Sequence, residues 1–335
     1  MTLQAYLASV SSLEILMWLR GIIPVVLIVV VGVVIGRWDQ SRNQRTLDKL
    51  TQQIFLPCLI FSSLHRHPFD LKEIAQIGTA ATLLTVGITL LSFLLMGAAR
   101  KQQETNFLPT IFMSSASLLL PLAFILFGNQ GLAKAIYFYL FMLLLTHTLG
   151  SFLTEGKVTW RQFLKIPSLY TALLGMVCAA VTLPIPAAFE ELAWLSEKGI
   201  DLTGLGALPL LIISFGYPLG RIPLADVLKG VPGALIRIVG APVFAFMLIY
   251  LYRQSGWLNF EKGYDILGFI DQRTTEAIIV ISAAMPSSHH TLRLDASGNP
   301  TVSQRDAATV LASTLGAMVT LCVVFFFTAA FIFFD

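Results

Sequence analysis

The stretch from Leu108 to Gly128, LPTIFMSSASLLLPLAFILFG, is apolar enough for membrane depth, yet it carries serines at 114, 115 and 117 and a proline at 121. In hydrocarbon every backbone group must be paired internally. A proline removes one donor, and its ring clashes with the carbonyl four residues back, here that of Ser117. The segment is therefore expected to break near mid-membrane, an event tolerated only where the freed backbone lines a cavity inside the protein. A second stretch, ISAAMPSSHH, repeats the serine-to-proline spacing from Ser282 to Pro286. Two such interruptions point to a polar site enclosed by membrane helices.

Composition supports a bilayer setting. Apolar residues make up 56% of the 335 and charged residues 12%, against about 45–50% and about 25% in soluble domains. The length suits roughly ten spans of about 20 residues with short loops. The net charge of +3 and the lack of a basic tract interleaved with aromatics argue against nucleic acid as a partner. Cys58, Cys178 and Cys322 all lie in apolar spans, where cysteines act as small hydrophobes rather than as a disulfide or metal site. The first 20 residues lack a basic n-region and a small-residue cleavage site, so no removable signal peptide is expected. No HExxH, GxSxG or Walker pattern occurs, which disfavours an enzyme and predicts neither a metal nor a cofactor.

Hydropathy places helix 1 at about 18–35, helix 2 at 47–64, helix 3 at 74–99, the broken helix 4 at 108–128 and helix 5 at 131–153. Helix 2 carries Gln52, Gln53 and Pro57, which suits a helix shielded from lipid. A basic linker, TEGKVTWRQFLKIP, occupies 154–167. Helices 6, 7 and 8 follow at 168–183, 202–219 and 227–252, with Pro232 and Pro242 as kink points in the last. The second broken segment, helix 9, starts near Asp271, and helix 10 runs over 307–334.

The two halves, 1–153 and 168–335, share a pattern. Leu56-Pro57-Cys58-Leu59-Ile60-Phe61-Ser62 matches Leu208-Pro209-Leu210-Leu211-Ile212-Ile213-Ser214 at five of seven positions. Ser117 and Pro121 answer to Ser282 and Pro286, and Thr148-Leu149-Gly150 to Thr314-Leu315-Gly316. The order is kept at offsets of 152, 165 and 166, as one short insertion would leave a duplication. Five helices is an odd number, so the repeats are expected to be inverted. With the N-terminus outside, inward loops hold Arg37, Arg42, Arg45, Lys49, Arg100, Lys101, Lys157, Arg161, Lys165, Arg221 and Lys229. Outward segments hold Arg20, Arg66, Lys72, Lys134, Lys198, Arg253 and Lys262. Eleven against seven puts both termini on the non-cytoplasmic side.

The fold class expected is thus an all-α integral membrane protein with ten transmembrane helices in two inverted five-helix repeats, helices 4 and 9 being interrupted. Half-helix N-termini present unpaired N–H groups and partial positive charge, so a small anion such as a carboxylate is the first candidate ligand. Ser114, Ser117 and Pro121 share one helix face, as do Ser282, Pro286 and His289. With Ser115, Ser287, Gln52 and Gln53 they form the candidate binding set. The alternative role for each serine is to satisfy freed carbonyls. His289 and His290 lie beyond Pro286, where they either shuttle protons or sit at a solvated helix end. His290 and His147 are the candidate coupling groups, His147 because it is an ionisable residue within a span. Arg273 and Glu276 are spaced to pair with each other, and Arg237 in helix 8 either attracts an anion or snorkels.

Several runs together carry a resemblance: VGVVIGRW, IFLPCLIFSSL, SLLLPLAFILFGNQGLAKAIYFYLF, and AAMPSSHH followed by ASTLGAMVTL. Over nearly its whole length the chain resembles the auxin efflux carrier family, which includes plant auxin carriers and bacterial permeases for small carboxylates. The resemblance implies ten helices in two inverted halves, helices 4 and 9 crossing at the prolines, and an elevator-like movement. The family's helix 4 usually reads Asn-x-Gly-x-x-Gly-x-Pro, and here those places hold Ser114, Ala116, Leu119 and Pro121. In helix 9 the polar position four after the proline, often asparagine, is His290. Auxin is therefore not carried over as substrate. The function expected is a secondary transporter of a small organic anion, with a non-transporting sensor or a channel as the alternative. The bilayer and the anion are its expected partners, and a homodimer is left open.

Overall fold

A computed structural model describes residues 12–39, 44–67, 70–103, 108–158, 160–181, 190–256, 266–289 and 304–328. These residues are almost entirely helical, as a chain that must pair its own backbone in lipid requires. In chain order the α-helices are α1 (Ser12–Trp38), α2 (Gln44–Leu50), α3 (Leu56–Arg66), α4 (Leu71–Gln103), α5 (Leu108–Ile111), α6 (Leu120–Leu145) and α7 (Ser151–Glu155). After them come α8 (Pro167–Ala180), α9 (Glu190–Leu219), α10 (Val227–Leu235), α11 (Ala241–Gln254), α12 (Ile266–Ala284) and α13 (Gln304–Thr328).

Among the described residues, six helical segments are long and apolar enough to cross a membrane: 21–38, 71–96, 115–153, 190–219, 224–254 and 304–325. The chain is thus an all-helical, multi-pass integral membrane protein. The third segment has 39 residues, about 58 Å at 1.5 Å per residue against a hydrocarbon core of about 30 Å. It folds back on itself at Gly128, whose φ of 63° only glycine adopts readily.

The prolines act differently from the sequence expectation. Pro57, Pro121 and Pro242 each sit in the first turn of an α-helix and follow directly on a π turn, at Thr51–Phe55, Ser115–Leu119 and Ile236–Gly240. Widening the preceding turn moves away the carbonyl that the proline ring would strike and absorbs the missing donor. Pro121 therefore begins α6, and the chain leaves helical geometry earlier, at 112–114.

The helices pack as two groups. In one, α1 lies along α9, and α3 packs on α8 and α9. In the other, α4 packs on α6, α10 on α13, and α12 on α4, α6, α11 and α13. They meet where α1, α3 and α9 face α6, where α9 faces the turn at Ser115–Leu119, and where α1 faces α13. The first group is tied by polar contacts as well. Ser62 donates to Asp201 at 2.6 Å, Ser214 donates to Asp48, and Arg66 pairs with Glu197 and Asp201.

Two basic residues lie elsewhere than the sequence suggested. Lys134, counted above among outward loop charges, is wholly buried and paired with Glu73. Removing it leaves eleven inward against six outward. Arg237 does not snorkel, because its side chain is also fully buried. Glu276 binds Arg253 through two bonds, at 3.2 and 2.6 Å, rather than standing only beside its neighbour Arg273.

Candidate functional site

The non-helical residues between α5 and α6 meet those after α12. Met113 and Ser287 form an antiparallel bridge, with Ser114 N–H donating to the Pro286 carbonyl and Ser288 N–H to the Phe112 carbonyl, each at 2.9 Å. Two short non-helical segments thus pair through a single bridge inside a helical protein. Each satisfies backbone groups that the other's break has freed. The meeting point is Met113 and Ser287; Pro286 is part of it, whereas Pro121 stands in the first turn of α6.

Beside this pairing lies a cavity of about 270 Å³. Its polar lining comes from Ser114, Ser115, Ser117 and Ser288 at the break, from Gln52, and from Tyr139, Thr146 and His147 further along the α6 segment. The volume is just below the range of about 300–1,000 Å³ for small-molecule pockets, which suits a solute of a few heavy atoms. The Ser114 hydroxyl is buried and has no hydrogen-bond partner, so it is a polar group in need of one. The first hydrogen bond of the π turn runs from Leu119 N–H to the Ser114 carbonyl at 3.4 Å. The N–H groups of Ala116, Ser117 and Leu118 therefore have no acceptor within the helix. Two of those residues, Ala116 and Ser117, line the cavity. A smaller hollow of about 40 Å³ has an apolar wall including Ile22, Val29 and Leu122 and offers little to a polar solute.

The candidate residues are distributed unevenly around this cavity. Ser114, Ser115, Ser117, Gln52 and His147 are brought together on its wall. Gln53 is exposed and points elsewhere. The Ser282 hydroxyl bonds back to the Ile279 carbonyl at 2.7 Å inside α12, the role of satisfying a carbonyl rather than a ligand. Ser287 takes part in the bridge and receives its second support through its N–H, which donates to Ser313 Oγ at 3.1 Å. Neither serine borders the cavity. His289 is buried edge-on against Phe215, not at a solvated end. His290 lies outside the described residues.

Arg237 is the residue whose importance the sequence concealed. It projects from the π turn of the α10–α11 segment and donates to Ile111 O at 3.4 Å, Ser282 O at 3.5 Å, Ala283 O at 3.0 Å and Met285 O at 3.2 Å. Ile111, Ser282 and Ala283 stand at the ends of α5 and α12 and Met285 just beyond α12, where a helix leaves carbonyls short of partners; the Ser282 carbonyl accepts from Met285 N–H as well, at 3.1 Å. One guanidinium fork thus caps both interrupted helices. Tyr139, Thr146 and Ser288 also went unnoticed. Tyr139 and Thr146 are seven apart on one helix and enter the cavity on the same face as Leu143, a spacing that could have revealed them.

With this geometry in view, comparison with known proteins is informative. A family described as membrane transport protein matches residues 18–157, which include the first break and the three π turns beside the cavity, at Thr51–Phe55, Ser115–Leu119 and Thr146–Gly150. Over those residues the chain is similar to this family. An uncharacterised transporter of Methanothermobacter thermautotrophicus is 26% identical over 267 residues, covering 76% of this chain and 78% of the relative. A second, from Methanocaldococcus jannaschii, is 22% identical over 289 residues, covering 81% and 87%. Both alignments extend well beyond the matched half, so the likeness to membrane transport proteins takes in the second half as well.

Proposed function

We propose that the chain is a secondary transporter that moves a small organic anion of the carboxylate class by an elevator-like alternation. The observation carrying this reading is the buried, unpartnered Ser114 hydroxyl at the paired break, beside the free N–H groups of Ala116 and Ser117 on a cavity wall that, among the described residues, contains no carboxylate. Donors converging without acceptors suit an anion, and the partial positive charge at a helix start adds to them. Among the described residues the wall has one imidazole, His147, which would join as a cation when protonated and so couple anion binding to proton uptake.

Two features support ten helices in inverted halves. Ser62 of the first repeated motif bonds Asp201 near the start of the second, while Ser214 of the second motif bonds Asp48 near the start of the first. Such reciprocity is what a two-fold relation between halves produces. The grouping of helices also recurs, since the first two spans of each half form one body and the last three the other. The body holding both breaks would carry the cavity, and the body containing α1 and α9 would stay fixed. Both termini would face the non-cytoplasmic side.

Counterflow in proteoliposomes tests the proposal. Vesicles preloaded with an unlabelled short-chain carboxylate are expected to accumulate the labelled compound, and Ser114→Ala is expected to lower the rate about tenfold, the loss of roughly one charge-assisted hydrogen bond. His147→Gln should flatten a rate that otherwise rises as pH falls from about 8 to 5, because the protonated imidazole favours the anion. Ligand binding without exchange would identify a receptor instead.

A further inference from the structure

Among the described residues the cavity wall has no lysine or arginine, yet we infer that the site's preference for anions is set by Arg237, a fixed charge that never touches the ligand. This inference rests on the carboxylate reading above and names what produces its charge selection.

Consider the electrostatics of the crossing. A helix end that leaves its last carbonyls unpaired carries about half a negative charge. At this crossing the C-terminal end of α12 is joined by the terminal carbonyl of α5, and both face the short bridge from which the cavity opens. Without compensation these ends would oppose the positive end of the helix beginning at Ser115, and an anion would gain little. Arg237 donates to four of these carbonyls and adds a full positive charge, because a guanidinium stays protonated at any working pH. Among the described residues its hydrogen-bond partners are all backbone carbonyls, and none is a carboxylate. The buried Lys134 and the part-exposed Arg253 are different, since Glu73 and Glu276 neutralise them. Arg237 is therefore, among the described residues, a buried cation whose charge no carboxylate cancels. Its acceptor Ile111 is two residues from Met113 and three from Ser114, both on the cavity wall. In a low-dielectric interior such a charge acts over several ångströms without contact.

The test compares each acid with its isosteric amide: lactate with lactamide, butyrate with butyramide, benzoate with benzamide. Binding to the purified full chain in detergent is measured at about pH 9, where an ordinary imidazole is neutral and His147 contributes no charge. Wild type is expected to bind at least one acid on the order of tenfold more tightly than its amide. Arg237→Gln is expected to bring that ratio close to one, and Arg237→Lys, which keeps the charge but not the fork, is expected to retain most of it. A purely structural role would weaken acid and amide alike and leave the ratio unchanged. Should Arg237→Gln fail to fold, the wild-type ratio still decides, because equal binding of acid and amide at this pH overturns the inference. If no acid or amide binds at any pH, the carboxylate reading itself fails.

Discussion

Lys134→Met alone is expected to cost about 3–5 kcal/mol of stability, the penalty for leaving one member of a buried ion pair without its partner. Lys134 is fully buried, and Glu73 is nearly so. Thr275 closes the arrangement, accepting from Lys134 Nζ at 2.7 Å and donating to Glu73 Oε1 at 2.8 Å. Three helices, α4, α6 and α12, are thereby joined at one point, and α6 and α12 flank the two breaks. Removing the ammonium leaves a carboxylate facing one hydroxyl in a dry interior, and the helices should separate to admit water. Thermal unfolding in detergent is the measurement. The companion variant Lys134→Met/Glu73→Gln removes both charges and is expected to recover most of the loss, since a buried pair replaced as a whole is often close to neutral. A single variant as stable as wild type, or a double variant no better than the single, would sink this account.

The same pair shows where sequence reasoning stops. Lys134 follows the turn FGNQG at the start of the span expected at 131–153, where it reads as an outward-end charge, with no hint that Glu73, 61 residues earlier, faces it. Arg237 is hidden for the same reason, because the carbonyls it caps belong to helices 45 to 126 residues away. What local chemistry determines is far more visible. The apolar spans, the polar interruptions and the family resemblance were all legible, since hydrophobic length and helix breaking act within a few residues. Even there the proline misled by a few positions. Pro121 marks the first turn of the new helix, and a π turn separates it from the bridge at Met113. Of the serines, sequence spacing picked out Ser114 and Ser117 correctly as neighbours. It could not tell that Ser282, at the same spacing from its own proline, bonds back into its helix.

The α1–α9 seam yields the other large effect. Gly32 and Gly36 of α1 face Gly216 and Gly220 at and just beyond the end of α9, two small-xxx-small pairs that bring backbones into direct contact. A Cβ on Gly36 would lie 2.0 Å from the Tyr217 carbonyl oxygen, and one on Gly216 would lie 2.3 Å from that of Val29. These obstacles are backbone atoms, so no rotamer change relieves them and the helices must part. Gly36→Ala is expected to cost about 1–3 kcal/mol, as overpacking does. Gly36→Leu or Gly216→Leu should prevent accumulation of folded protein in the membrane. Gly199→Ala provides the control of opposite sign. Nothing lies within 4 Å of its Cβ position on the exposed part of α9, so relief of the helical glycine penalty should stabilise by about 0.5–1 kcal/mol. Retained thermal stability is measured for all four variants side by side. If Gly36→Ala stabilises as Gly199→Ala does, the two helices are not in backbone contact. In that case the rigid body against which the cavity-bearing helices are proposed to slide loses its physical basis.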